Sequence, residues 1–158
     1  VLAISDRVAI VIDGRIAQVG SPTEIYDAPN SISVGGIVGS PPMNFFSGKY
    51  EVSGNNFSCQ KFNLSFSDKL NFSSDESVTL GVRPEDLWPT KNLESNGFTV
   101  DVTSSEPLGS YTVVNAKLDD QDIKIRLQGQ QMMSMGEKLN LKIDQRKVHI
   151  FNVNGDRI

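Results

Sequence analysis

Residues 98–128 read FTVDVTSSEPLGSYTVVNAKLDDQDIKIRLQ, a stretch with a regular alternation at its centre. Over 110–118, one predicted face carries the apolar or small side chains, which are Thr112, Val114, Ala116 and Leu118. A period of two puts alternate side chains on opposite faces of a strand, so this segment predicts a β-strand with one dry face. Strand-like segments at 98–106 and 122–128 flank it. The stretch therefore predicts three consecutive strands.

The same character extends outward in both directions from this stretch. Further strand-like segments separated by polar turns lie at 45–52, 56–59, 62–66, 78–83, 138–143 and 147–151. Closely spaced short strands without a helical period are typical of an all-β barrel or sandwich. The polar segment Lys91–Gly97 is interpreted as a seam, which divides the predicted fold into two small β subdomains.

The N-terminal residues carry a different pattern. Asp13 and Gly14 separate two strand-like runs and predict a hairpin with a tight turn. The next four residues, Ser21-Pro22-Thr23-Glu24, form a capping-box pattern that predicts a short helix over 22–27. A second short helix is predicted over 31–38, with buried positions expected at Ile32, Val34, Ile37 and Val38. Ser40-Pro41-Pro42-Met43-Asn44 then predicts a rigid connector.

Composition excludes several classes of function. The 158 residues include 15 basic and 19 acidic residues, for a formal charge of -4, and no basic cluster. Nucleic acid is therefore not an expected partner, because its binders concentrate positive charge. One cysteine, Cys59, and one histidine, His149, leave no expected metal site and no nucleophile-and-base pair. Cys59 is expected to be partly buried, and His149 to lie on a half-exposed strand. No segment resembles a signal peptide or a membrane-spanning helix.

Two short motifs have both a functional and a structural interpretation. Residues 35–40, GGIVGS, are glycine-rich, but Pro41 and Pro42 follow where a phosphate-binding loop has its lysine and amide donors. We therefore interpret the glycines as allowing close packing of a helix end. Glu85 and Asp86 follow Pro84, and adjacent carboxylates of this kind are more typical of a short helical turn than of acid–base catalysis.

Several stretches together resemble a known family, the ATPase subunits of ABC importers in the maltose and glycerol-phosphate branch. Residues 5–22, followed by 24–29, resemble the end of the nucleotide-binding domain, and 34–44 is similar to the linker that follows it. Three further stretches resemble the regulatory domain of this branch, namely LGVRPEDL at 80–87, EPLGS at 106–110, and VHIF at 148–151 followed by Gly155. The resemblance covers nearly the whole chain.

The resemblance implies a mainly β fold, an OB-fold-like (TOBE) barrel preceded by a hairpin and one or two short helices. It divides the chain into 1–40, the end of a nucleotide-binding domain plus linker, and 41–158, a regulatory and dimerisation domain. Implied partners are a second copy of the chain, membrane-spanning permease subunits and a phosphotransferase-system regulator. The implied location is cytoplasmic, peripheral on the inner membrane. ATP and Mg²⁺ are implied for the parent protein only, because the ATP-hydrolysing motifs would precede Val1.

Seven residues are expected to contribute to the fold or to an interface, namely Arg83, Pro84, Glu85, Glu106, Leu108, Gly109 and Phe151. Arg83 is interpreted either as half of an inter-subunit ion pair or as a solvated charge at a strand end. Glu106 is either an exposed cap or, as we favour, an inward-facing anchor.

Two further hypotheses concern ligands and pairing. Because some TOBE-type domains bind oxyanions such as molybdate, Ser104, Ser105 and Ser110 form an alternative small-ligand site. An isolated two-stranded ribbon is marginal in water, so residues 1–20 are expected to be poorly ordered or paired with another copy.

Overall fold

A hairpin resting on two short helices begins the described part of the chain. The structure, a computed structural model, describes residues 6–93 and 96–158. Strands β1 (Val8–Ile12) and β2 (Arg15–Gly20) pair antiparallel across the predicted turn. Asp13 and Gly14 both have positive φ, 50° and 75°, which is what a tight hairpin turn needs. One face of the hairpin packs against the two helices. The sequence did not predict this docking. Residues 1–5 of the predicted segment lie outside the described residues.

Both predicted helices are present and capped by serines. In α1 (Pro22–Asp27), Ser21 Oγ accepts from Glu24 N at 3.2 Å, and Ser21 N donates to Glu24 Oε2 at 2.8 Å, which confirms the capping box. In α2 (Ile32–Ile37), Ser31 caps the first turn. The expectation that Ile37 is buried is wrong, because α2 ends there and the extended Val38 occupies the core position instead.

Ten further strands form two five-stranded antiparallel sheets. The first sheet has the order β12-β6-β3-β4-β5, with strands β12 (His149–Phe151), β6 (Glu76–Val82), β3 (Asn44–Glu51), β4 (Asn56–Ser58) and β5 (Asn63–Ser65). The second has the order β10-β9-β8-β11-β7, with strands β10 (Gln121–Gln128), β9 (Tyr111–Leu118), β8 (Gly97–Pro107), β11 (Lys138–Ile143) and β7 (Leu87–Pro89). The mainly β, OB-fold-like class predicted from the sequence is confirmed.

The two sheets enclose one hydrophobic core. The dry face predicted for β9 is confirmed, since Thr112, Val114, Ala116 and Leu118 are all buried. Three phenylalanines connect the sheets, with ring centroids 5.1 Å apart between Phe46 and Phe62 and 4.9 Å between Phe62 and Phe98. The predicted seam does not divide the fold into separate subdomains, because β7, before the seam, pairs in the second sheet and β12, after it, pairs in the first. Of the predicted seam at 91–97, residues 94 and 95 lie outside the described residues.

The edge of β10 is fixed to the first sheet by the buried side chain of Asn44. Asn44 Nδ2 donates to Lys124 O, and Lys124 N donates to Asn44 Oδ1, both at 2.8 Å. Gln121 Nε2 adds a bond to Phe45 O at 2.6 Å. The second sheet curls until β10 lies near β7, a short strand that the sequence did not predict. Among the described residues, no helix is long and apolar enough to cross a membrane.

Candidate functional site

Arg83 lies at the centre of the contacts between the N-terminal segment and the sheets. It follows β6 and precedes a 3-10 turn over Pro84–Asp86, which confirms the structural interpretation of the two adjacent carboxylates. The side chain is only 2% exposed. Its Nη2 donates to Tyr26 O at 2.7 Å, its Nη1 donates to Val38 O, and its guanidinium carbon lies 4.0 Å from the Tyr26 ring centroid. Arg83 is therefore not a solvated charge at a strand end.

A tyrosine–carboxylate pair completes this cluster. The Tyr26 hydroxyl donates to Glu85 Oε1. Burial raises the pKa of Tyr26 to about 12, and the hydrogen bond and charge of Glu85 act in the same direction. Burial lowers the pKa of Arg83, and the neighbouring Tyr26 and Glu85 oppose that shift. Within residues 6–93 and 96–158, Arg83 Nε is a buried atom without a hydrogen-bond partner. We call Tyr26, Val38, Arg83 and Glu85 the Arg83 junction.

The C-terminal segment reinforces the junction through backbone hydrogen bonds. Ile32 N donates to Gly155 O, and Arg157 N donates to Asn30 O, both at 2.9 Å. Phe151, on β12, is fully buried, and its ring meets Phe45 edge-on at a centroid distance of 5.9 Å. The hairpin, the helices, β6 and the C-terminal segment are therefore joined at one place.

Two titratable groups beside the junction have strongly shifted pKa values. Burial, with the charges of Arg83 and Arg157, lowers the pKa of His149 to about 4, so its imidazole is neutral at pH 7. Burial raises the pKa of Asp86 to about 6, and the charge of Glu85 adds to that shift. His149 is half-buried on β12, and Cys59 is partly buried as predicted, with its thiol donating to Phe62 O at 3.4 Å.

The remaining predicted residues lie at the other end of the second sheet, on the β8–β9 hairpin. Glu106 is exposed and accepts from Asn115 Nδ2 at 2.9 Å, so the favoured interpretation as an inward anchor is wrong. Gly109, in the turn, has a φ of +87°, which favours glycine there. Leu108 is 54% exposed.

A methionine-rich loop lies against this hairpin. Ser105 Oγ donates to Met133 O at 3.2 Å and accepts from Met133 N at 3.0 Å. Met132 and Met135 in this loop are exposed. We call Leu108, Met132 and Met135 the hairpin-end surface. Contiguous apolar patches mark sites where another protein binds, whereas exposed apolar side chains that are scattered singly are ordinary.

The three serines of the alternative small-ligand site are not brought together around one site, since Ser110 lines a groove between β7 and β10 while the other two bond within the fold. Ser104 and Ser105 use their hydroxyls within the fold, since Ser104 Oγ accepts from Asn115 Nδ2 at 2.8 Å and Ser105 bonds to Met133. Gly35 and Gly36 lie inside α2, where Gly35 packs against Met43 and Phe45. The glycine-rich stretch does not provide a nucleotide-phosphate cradle. In the described ranges, no group of three or more His, Cys, Asp or Glu side chains is placed to hold a metal ion.

Sequence reasoning singled out Arg83 but missed its partners. Val38 contributes only a backbone carbonyl, which any residue type supplies, and Tyr26 contributes a carbonyl together with its ring and hydroxyl, but its separation of 57 residues from Arg83 leaves no local signal of the contact. Gln18 was also missed. Its side chain bonds Ala28 O at 3.0 Å and Asn30 N at 2.9 Å, and so ties β2 to the connection between α1 and α2.

Comparison with known proteins places these features in context. Residues 39–87 match the family model described as the MalK OB fold domain. The chain is 34% identical over 161 residues to the sulfoquinovosyl glycerol transport ATP-binding protein SmoE of Agrobacterium fabrum, an alignment that covers 99% of this chain and 44% of that protein.

Two further relatives are the oligosaccharides import ATP-binding protein MsmX of Bacillus subtilis and the sn-glycerol-3-phosphate import ATP-binding protein UgpC of Salmonella typhi. MsmX is 27% identical over 160 residues, covering 96% of this chain and 44% of MsmX. UgpC is 29% identical over 152 residues, covering 96% of this chain and 42% of UgpC. The chain thus spans less than half the length of the relatives it matches.

Proposed function

We propose that this chain supplies the ATP-binding subunit of an ABC importer with a regulatory and dimerisation domain. The chain carries an OB-fold domain of the MalK family, and its relatives are ATP-binding subunits of ABC importers for sugars and glycerol phosphate. Residues 41–158 would be the regulatory and dimerisation domain. Residues 1–40 would be the end of the nucleotide-binding domain plus its linker. The start of the family match at residue 39 supports a boundary near this point.

The observation that carries the proposal is the Arg83 junction. A single buried guanidinium binds carbonyls of α1 and of the end of α2, and it also stacks on Tyr26. Hydrogen bonds from a charged donor to buried carbonyls contribute about 1.5–3 kcal/mol each, so the contact is firm. A movement of the N-terminal unit would therefore be transmitted to the sheets, which is what a domain coupled to a nucleotide-driven motor requires.

The hairpin-end surface supports pairing with a second copy. It presents exposed apolar side chains at Leu108, Met132 and Met135, beside the exposed Glu106. Pairing there would raise the effective concentration of the two ATPase halves, because it makes their second contact intramolecular. The domain would act mechanically and leave hydrolysis to the nucleotide-binding domains.

The parent protein would supply the remaining parts. ATP and Mg²⁺ would be bound by the nucleotide-binding domain of the parent protein. The parent would work with membrane-spanning permease subunits at the cytoplasmic face of the inner membrane. A phosphotransferase-system regulator is a further proposed partner.

Light scattering over a range of chain concentrations tests the pairing. We expect a dimer mass at tens of micromolar, and a monomer mass for Leu108→Asp, because a charge in an apolar contact is costly to bury. Leu93→Asp is the matched control, since Leu93 is exposed to nearly the same degree, 56% against 54%, and lies elsewhere. A strict monomer for the unsubstituted chain would remove dimerisation by this chain. Equal effects of the two substitutions would place the contact away from the hairpin-end surface.

A further inference from the structure

A large groove lies where the second sheet does not close, between β7 and β10, beside the Arg83 junction with which it shares Glu85. Its volume is about 810 Å³, inside the range of about 300–1,000 Å³ that is usual for small-molecule sites. Six side chains give it its chemistry, namely Asp86, Trp88, Tyr111, Arg126, Gln128 and Lys147. We call it the β7–β10 groove.

Two aromatic surfaces face this groove. Trp88, the single tryptophan of the chain, is 55% exposed although it lies on a strand. On the opposite wall, the Arg126 guanidinium carbon lies 4.3 Å from the Tyr111 ring centroid. Aromatic rings and flat guanidinium groups offer stacking surfaces to a ligand that has an apolar face.

Among the described residues, four polar side chains that line the groove take no part in the hydrogen bonds of the fold, whereas Glu85 accepts from Tyr26 and Gln131 donates to Gln128 O. Within the described ranges 6–93 and 96–158, the side chains of Arg126, Gln128 and Ser110 make no hydrogen bond, and the Asp86 carboxylate accepts none. Asp86 is half-buried, and this burial is the main reason its pKa rises to about 6. A half-buried carboxylate that accepts no hydrogen bond from the fold is a candidate for binding a ligand that brings a donor.

The charges of the groove select against an anion. Two basic residues, Arg126 and Lys147, and two acidic residues, Glu85 and Asp86, line the groove. A phosphate or carboxylate ligand would meet two acidic groups and gain little, whereas a neutral ligand with many hydroxyls could use both kinds of group. Its hydroxyls would donate to Asp86 and accept from Arg126 and Gln128, while a ring face rests on Trp88.

We propose that the β7–β10 groove binds a neutral saccharide, with Trp88 as the stacking platform and Asp86, Arg126 and Gln128 as hydrogen-bonding groups. This makes the β domain a direct sensor of a neutral sugar. The proposal goes beyond the pairing described above and does not depend on it, because the groove lies within one chain.

Fluorescence of Trp88 reports directly on the groove, since the chain has no other tryptophan. The chain is titrated with maltotriose, and in separate arms with AMP and with inorganic phosphate. We expect a saturable change in emission with maltotriose, with a Kd of about 1 mM or lower, and no saturable change in the other arms. Saturation by AMP or phosphate, or no binding of maltotriose up to about 20 mM by either fluorescence or calorimetry, would overturn the proposal.

Paired substitutions locate the site. Asp86→Ala should weaken maltotriose binding by about tenfold or more, while Asp120→Ala, an exposed carboxylate in the β9–β10 turn, should leave it unchanged. Circular dichroism checks that both variants fold. Calorimetry measures maltotriose binding independently of fluorescence, by comparing the unsubstituted chain with Trp88→Ala, which should abolish binding. Equal affinity of the two aspartate variants would overturn the assignment. The mass of the chain is recorded in parallel, so failure of pairing and failure of sugar binding remain distinguishable.

Discussion

The N-terminal unit, residues 8–38, and the two sheets are built around cores of very different size. Ile25, Val34 and Val38 are the buried core of the first, whereas the sheets bury side chains from strands β3 to β12 in one cluster. Burial of each side chain contributes about 1.5–3 kcal/mol to the free energy of folding. The loss of backbone conformational entropy costs about 1–2 kcal/mol for each of about thirty residues, so a core of three side chains cannot offset it. The N-terminal unit is therefore held in place by the sheets, through the Arg83 junction and the C-terminal segment.

The largest effect is expected from a matched pair of core substitutions. Ile125 in the sheets and Ile25 in the N-terminal unit are both fully buried. Ile125→Ala should lower the free energy of unfolding of the sheets by about 2–5 kcal/mol, because it leaves a cavity in the larger core. Ile25→Ala removes the same atoms, but its effect should stay within the N-terminal unit, with faster hydrogen exchange of the β1–β2 amides.

Urea denaturation, followed by the circular dichroism of the sheets, separates the two results. For Ile25→Ala we expect a shift below about 0.5 kcal/mol in that transition, since the site is distant from the sheet core. If Ile25→Ala destabilises the sheets as much as Ile125→Ala does, the two regions unfold as one cooperative unit and the comparison fails.

A somewhat smaller effect is expected at the contact between the regions. Arg83→Met should cost about 2–4 kcal/mol, because it leaves the carbonyls of Tyr26 and Val38 without their charged donor. The loss should appear as faster hydrogen exchange over residues 8–38, with the sheet amides still protected. Arg83→Lys is the control. It should recover only part of the loss, since lysine lacks the planar fork and the stacking on Tyr26. Full recovery by lysine would mean that charge alone holds the regions together.

A pH dependence should arise next to the same contact. The pKa of His149 is lowered from 6.5 to about 4 in the folded chain, so the unfolded chain takes up a proton between these values that the folded chain does not. Its contribution to stability is therefore complete above about pH 6.5 and is lost as the pH falls toward 4. His149→Gln should remove this loss from the pH profile of the urea midpoint.

Asp86 should act in the opposite direction over part of the same range. Its pKa is raised from 3.8 to about 6, so the folded chain binds the proton first, and its contribution is present at low pH and lost as the pH rises through 6. Asp86→Asn should therefore be more stable than the unsubstituted chain at pH 7, with a difference that vanishes below about pH 4. A pH profile left unchanged by both substitutions would show that neither group is shifted.

The contrast between regions also shows what a sequence can reveal. Alternation in β9 and the capping box at Ser21 are local patterns with a direct physical cause, and both elements were predicted. The burial of Arg83 was not, because its partners are carbonyls 45 and 57 residues away. Strand β7 was missed since Leu87-Trp88-Pro89 is too short to alternate and contains a proline. The β7–β10 groove depends on how the second sheet curls, which no local pattern records.

The smallest expected effect concerns the outer face of the hairpin. Ile16 is 68% exposed there, and Val11 and Val19 are exposed as well, while Val8, Ile10 and Ile12 pack against the small core. In a monomer, Ile16→Ser should change the free energy of unfolding by less than about 0.5 kcal/mol, because the substituted side chain makes few contacts. If residues 8–20 instead pair with another copy, Ile16→Ser should weaken that pairing. The β1–β2 amides should then lose protection from hydrogen exchange only at high chain concentration. Hydrogen exchange at two concentrations separates these results, since protection that is high and equal at both would show that the helices alone hold the hairpin.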